Sequence, residues 1–274
     1  MNDAPSLPLL IEPEVLRPLL GERDILVLDL CKDATYQQLH IPGALHLPYN
    51  QIVASRHPTH GLLPEPDRLV QLFSACGIGN RTHVVAYDDE GGGNACRLLW
   101  TLDTMGHSRY SLLDGGLHAW ANERHPFDRE THVPRPARFS ATPNPAVIAD
   151  AEYIMQRLGS DDLALWDARS VNEYRGISRF SQYPGHIPGA VNLDWTEVMD
   201  RERNLRLKPE PELRVMLDDL GITPDREVIA YCQTHHRSSL AWFVLKYLGF
   251  GQARGYPGSW SDWGNRDDTP KADT

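Results

Sequence analysis

The chain is written twice, and that constrains its fold more than any other feature. His40-Ile41-Pro42-Gly43-Ala44 recurs as His186-Ile187-Pro188-Gly189-Ala190, 146 positions on. Val84-Val85-Ala86-Tyr87 recurs as Val228-Ile229-Ala230-Tyr231, and Gly77-Ile78 as Gly221-Ile222, both 144 positions on. Self-similarity in a constant order reports a repeated folding unit, and 274 residues suit two domains of ordinary size.

Each copy opens on a short apolar run ending in aspartate, Ile25 to Asp29 and Leu163 to Asp167, the pattern of a buried strand. After the repeated turn comes a helix begun by Pro-Glu-Pro. Leu69, Leu72, Phe73 and Cys76 in one copy, and Leu213, Met216, Leu217 and Leu220 in the other, share one helix face. The Val-x-Ala-Tyr strand, a loop and a second helix follow. Strands alternating with helices at such spacings predict an α/β fold with a mainly parallel sheet and helices on both faces. Pro126, Pro134, Pro136, Pro143 and Pro145 crowd a stretch without apolar period. The expected division is a domain over 1–125, a Pro-rich linker over 126–145 and a second domain over 146–274.

The copies differ most where chemistry is expected. After Tyr231 the second carries Cys232-Gln233-Thr234-His235-His236-Arg237-Ser238, leading into a helix with Leu240, Phe243, Val244, Tyr247 and Leu248 on one face. Cys232 thus begins a strand-to-helix loop at the carboxyl edge of the sheet, where open α/β sheets bind ligands. A helix N-terminus and neighbouring cations lower a thiol's pKa, and inward loop amides make an anion nest. At the same position the first copy has Asp88, followed by Asp89 and Glu90. A carboxylate cannot act as a thiolate, and three acidic residues would repel an anion, so this copy is expected to be inert.

Composition narrows the partners. The 27 basic and 37 acidic residues leave a net charge of −10, which argues against nucleic acid or an anionic membrane as partner. A cationic loop on an acidic chain points to selection of a small anion. Cys31, Cys76, Cys96 and Cys232 form no Cys-x-x-Cys pair or zinc spacing, as expected of reduced cytoplasmic thiols. His235 and His236 have no third ligand nearby, so no metal is expected. The N-terminal residues show no basic stretch followed by a long apolar one, and no apolar run approaches the roughly 18 residues of a membrane span, so neither export nor membrane insertion is expected.

The doubled turn, the aspartate-for-cysteine first copy and the loop from Cys232 to Arg237 resemble a tandem-domain rhodanese, in a bacterial subgroup of that family. The likeness covers roughly residues 8 to 264. It implies two rhodanese-like domains, each a five-stranded parallel sheet flanked by helices, with Cys232 alone catalytic. It also implies a sulfurtransferase without cofactor. A Cys232 persulfide would take sulfur from thiosulfate and pass it to cyanide or to a thiol or dithiol acceptor such as a thioredoxin-like protein, and the chain is expected to be a monomer. Gln233, Thr234, His235, His236, Arg237 and Ser238 would bind substrate, Arg237 on the donor's sulfonate, with Trp195 after the second turn lining the site. Gln233-Thr234 matches neither the basic loops of thiosulfate-specialised members nor the small-residue loops of mercaptopyruvate-specialised ones. Glu173 stands where some members carry a substrate-binding arginine, next to a longer segment holding Arg175, Arg179 and Tyr183.

Three alternatives stand beside this reading: a 3-mercaptopyruvate sulfurtransferase, a cysteine-based phosphatase or arsenate reductase, and a non-catalytic rhodanese binding module. The second needs Cys-x5-Arg to wrap a tetrahedral oxyanion, and here the spacing is Cys-x4-Arg.

Overall fold

The structure, a computed structural model, describes residues 7–273. It divides into two compact units. The first gathers residues up to 52 with 64–143 and 200–207; the second gathers 53–63, 144–199 and 208 onward.

The sheet of the first unit has five parallel strands in the order Leu10–Ile11, Tyr110–Leu113, His83–Tyr87, Ile25–Asp29, Leu45–His46. The second unit repeats it as Ala253–Gly255, Glu227–Tyr231, Leu163–Asp167, Val191–Asn192. Here the expected five strands become four, since Ile148 meets the sheet edge only through an isolated bridge to Gly255. The central strands His83–Tyr87 and Glu227–Tyr231 are buried at every position, which explains the apolar runs from Val84 to Tyr87 and from Val228 to Tyr231.

The two repeated motifs meet in space. Tyr87 Oη accepts the Ile41 N–H at 3.1 Å, and Tyr231 Oη accepts that of Ile187 at 3.2 Å. Each turn closes through the alanine N–H onto the isoleucine carbonyl, with Gly43 at φ +79° and Gly189 at φ +80°. A residue in that left-handed conformation favours glycine. His40 stacks on Tyr36 with ring centroids 4.0 Å apart, and His186 on Tyr174 at 3.7 Å, so the duplicated histidines clamp the turns.

Of the segment 126–145 expected to join the domains, residues 126–143 group with the first unit, where buried Phe139 meets Phe73 edge-on at 5.2 Å and Ala137 N–H donates to the Ser74 carbonyl. Repeated prolines suppressed the apolar period without preventing the segment from packing. The helix Arg237–Tyr247 buries Ser238 through Leu245 on all sides rather than one face, since Ala241, Trp242 and Leu245 fill the flanks that one-face spacing leaves open.

Candidate active site

Strand Glu227–Tyr231 delivers Cys232 to the carboxyl edge of the second sheet, and helix Arg237–Tyr247 starts five positions later. Cys232 is buried. Burial pushes its thiol up, but the Arg237 charge and hydrogen bonds from the Ser238 hydroxyl and from the Ser238 and Thr234 amides outweigh it, and the value falls from 9.0 to about 7. Burial raises Cys31, Cys76 and Cys96, Cys76 to about 11. Cys232 is therefore the thiol with thiolate character near neutral pH.

The residues singled out in the sequence converge. His235 is buried at φ +53°, and its Nδ1 lies 2.7 Å from the Ser238 hydroxyl. The His236 ring lies 5.6 Å from Trp195, which opens the short 3-10 helix Trp195–Val198. Gln233 donates to the Phe180 carbonyl and the Ser181 hydroxyl, so the inserted segment does abut the loop. Arg175 and Arg179 are exposed, while Tyr183 donates to Asp267 at 2.7 Å. Arg237 opens the helix, where Glu173 grips it through both oxygens at 2.6 and 2.8 Å. Burial lowers the guanidinium's pKa, but Glu173 and Cys232 more than reverse this and it stays charged. Arg237 thus bridges a carboxylate and the sulfur. Ser170 caps the short helix Val171–Tyr174 in a capping box with Glu173, which aims that carboxylate.

Ser259 escaped the sequence reading. Its hydroxyl accepts the N–H groups of Cys232 at 3.2 Å and His235 at 3.1 Å, and donates to the Tyr256 carbonyl at 2.7 Å. Two loop amides are thereby spent on Ser259, leaving those of Thr234 and Ser238 for the sulfur. Ser259 sits at φ +49°, and Gly116 occupies the matching place at φ +50°. A Cβ on Gly116 would collide with the Asp88 carbonyl oxygen. The signal was a serine opposite a glycine in the repeat. Arg169 was also missed: it pairs with buried Asp167 at 2.6 Å and stacks on Trp260 at 4.6 Å. So was the hairpin Ala54–Arg56/Thr59–Leu62. Its His60 N–H donates to the Ser261 hydroxyl at 2.9 Å, and a Cβ on Gly61 would run into the Thr234 carbonyl.

In the first unit the corresponding cradle is filled from within. Asp88 Oδ1 accepts the amides of Glu90 at 3.0 Å and Gly92 at 2.8 Å, and Oδ2 that of Ala95 at 2.9 Å. Burial, with Glu90 beside it, still pushes Asp88 up to about 6. The expected repulsion of anions is a smaller matter than occupancy, since the nest already holds a carboxylate.

The fold and paired loops place this chain in the rhodanese-like domain family, which matches residues 12–123 and again 150–266. The chain belongs to that family in two tandem copies. It is 44% identical over 270 residues to a thiosulfate sulfurtransferase of Azotobacter vinelandii, covering 98% of this chain and 99% of the other. It is 45% identical to one of Pseudomonas aeruginosa, covering 97% of each, and 34% identical to a probable 3-mercaptopyruvate sulfurtransferase of that organism, covering 93% and 94%. In fold it resembles a solved anaerobic ergothioneine biosynthesis enzyme from Chlorobium limicola, with TM-score 0.85, 21% identity, and coverage of 97% of this chain and 70% of that one. Among the described residues no helix is long and apolar enough to cross a membrane.

Proposed function

We propose that the protein is a thiosulfate sulfurtransferase and that Cys232 is its nucleophile. The observation that carries this is a buried thiol whose pKa lies near neutrality beside Arg237, Ser238 and the Thr234 amide. The Cys232 thiolate attacks the outer sulfur of thiosulfate. The sulfur–sulfur bond of the donor breaks, sulfite leaves with its electron pair, and the enzyme keeps a persulfide anion. Cyanide or a thiolate then attacks the terminal sulfur and regenerates Cys232. The Thr234 and Ser238 amides and the Arg237 charge stabilise the anion at both stages.

The anchored guanidinium suits a charge held near the sulfur better than a free clamp on the donor. Gln233, Thr234, His235 and His236, with Trp195 against His236, form the rim that meets the donor. The higher identity to two thiosulfate sulfurtransferases than to a probable 3-mercaptopyruvate sulfurtransferase favours thiosulfate as donor, and the acceptor class is a small thiol, a dithiol protein or cyanide. The first copy carries Asp88 where the second has Cys232, and we assign the reaction to the copy that contains Cys232. A monomer acting in the cytoplasm fits the acidic surface and reduced cysteines.

The test is thiocyanate formation from thiosulfate and cyanide, with 3-mercaptopyruvate as a second donor and hydrolysis of an aryl phosphate assayed separately. Cys232→Ser should abolish transfer, whereas Cys31→Ser, Cys76→Ser and Cys96→Ser should keep most of it. Transfer persisting in Cys232→Ser, or turnover of the phosphate alone, would refute the assignment.

A further inference from the structure

In the first unit, the chain beyond helix Gly116–Asn122 folds back onto the repeated turn. His40 and Asp128 form an antiparallel bridge, with N–H to carbonyl distances of 3.0 and 2.8 Å. His40, Asp128 and His132 each bring one ligand-type atom to a point where all three lie within 4.8 Å of one another. Their orientations are already fixed. His40 Nδ1 donates to the Tyr36 carbonyl at 2.8 Å and its ring stacks on Tyr36, which turns Nε2 toward the cluster. Asp128 Oδ1 accepts the Arg129 and Glu130 amides at 2.6 and 2.9 Å, and Oδ2 faces His132 Nε2 at 2.7 Å. Outer contacts of this kind orient imidazole and carboxylate ligands around a metal.

His40 Nε2 also lies 3.2 Å from the Glu130 carbonyl oxygen, so a backbone acceptor flanks the cluster.

The second copy serves as an internal control. His186 repeats three of these contacts: Nδ1 to the Tyr174 carbonyl at 2.9 Å, the stack on Tyr174, and an antiparallel bridge, here to Ala272. Ala272, standing where Asp128 stands, offers no ligand. The bridge and the stack therefore suffice to seat the turn, and the carboxylate and second imidazole are additions the turn does not need.

We propose that His40 Nε2, Asp128 Oδ2 and His132 Nε2 form a site for one divalent transition-metal ion of the zinc class, fastening residues 126–132 onto the first repeated turn. Two imidazoles and a carboxylate are a donor set that zinc accepts, with solvent completing the shell. The site lies on the first unit and takes no part in the chemistry at Cys232. The absence of a zinc spacing in the sequence did not reveal it, because the turn and the fold-back are far apart along the chain.

The test uses the full chain as Cys232→Ser, which removes the most competitive thiolate, titrated with zinc chloride by calorimetry and with cobalt(II) by absorbance. One ion per chain is expected, with cobalt ligand-field bands, no sulfur-to-cobalt charge-transfer band, and a higher melting temperature with zinc. Adding His132→Gln or Asp128→Asn should weaken zinc at least tenfold while far-ultraviolet circular dichroism stays unchanged. Absence of binding, a sulfur charge-transfer band, or affinity unchanged in both variants would overturn the site. If a variant fails to fold, the imidazole proton resonances of Cys232→Ser decide: zinc should move those of His40 and His132, and movement confined to other histidines would overturn it.

Discussion

Glu173 and Arg237 are joined by two parallel hydrogen bonds, so the cation nearest Cys232 is fixed by a carboxylate from the segment that follows strand Leu163–Asp167. Buried Glu173 stays ionised because, against the cost of burial, Arg237 and Ser170 hold its carboxyl below the usual range. A bidentate guanidinium–carboxylate pair fixes angle as well as distance. We expect Glu173→Gln to lower stability by about 1–3 kcal/mol, the cost of a charged hydrogen bond left incomplete, and to slow sulfur uptake about tenfold through misplacement of Arg237. Urea unfolding and single-turnover persulfide formation measure the two, and wild-type values in both would remove Glu173 from the machinery.

Sulfur uptake should follow ionisation of Cys232, rising with pH through about 7. Stability is linked to the same event. The folded value lies below the ordinary 9.0, so the contribution is fully present above about pH 9 and is lost as pH falls through about 7. The gap is worth about 2–3 kcal/mol. Unfolding free energies from pH 6 to 9 should therefore climb more steeply for the wild type than for Cys232→Ser, and parallel profiles would contradict a thiolate held in the folded state.

Ser259 combines a strained backbone with an acceptor for two buried amides. Ser259→Ala keeps the strain and loses the acceptor, so a loss of about 1–3 kcal/mol is expected. Ser259→Gly loses the acceptor but relaxes the left-handed backbone, recovering about 1 kcal/mol. The expected order of stability in urea is serine, glycine, alanine; alanine at least as stable as serine would show that the hydroxyl does not hold the loop.

Asp88→Cys puts a thiol at the head of the first loop without an arginine to match Arg237 and with Asp89 and Glu90 following. That thiol should remain protonated near pH 7. Intact mass after treatment with thiosulfate should then show one added sulfur per chain, as in the wild type, and two would mean that the nest alone activates cysteine. Asp88→Ala should destabilise by about 2 kcal/mol, since it orphans the Glu90, Gly92 and Ala95 amides.

The sequence disclosed the duplication, the parallel α/β plan and the loop from Cys232 to Ser238, because these rest on local pattern: apolar runs, repeated turns and a strand feeding a helix. It did not disclose that Arg237 is gripped by Glu173, that Ser259 takes two loop amides, or that residues 53–63 join the second unit. Each depends on partners distant along the chain, brought together by tertiary packing that carries no period. Ile148 shows the same limit on a smaller scale, since a single bridge rather than a run of pairings separates four strands from five.

The hairpin that carries Gly61 is encoded in the first copy, yet its backbone lies against the Thr234 carbonyl and its His60 N–H and carbonyl are both bonded to the Ser261 hydroxyl. Conversely, Arg206, encoded in the second copy, pairs with Glu12 and Glu123 in the first unit. Each unit therefore holds a segment encoded in the other copy, so a cut in the gene between the two copies would leave each product missing a piece of its own framework.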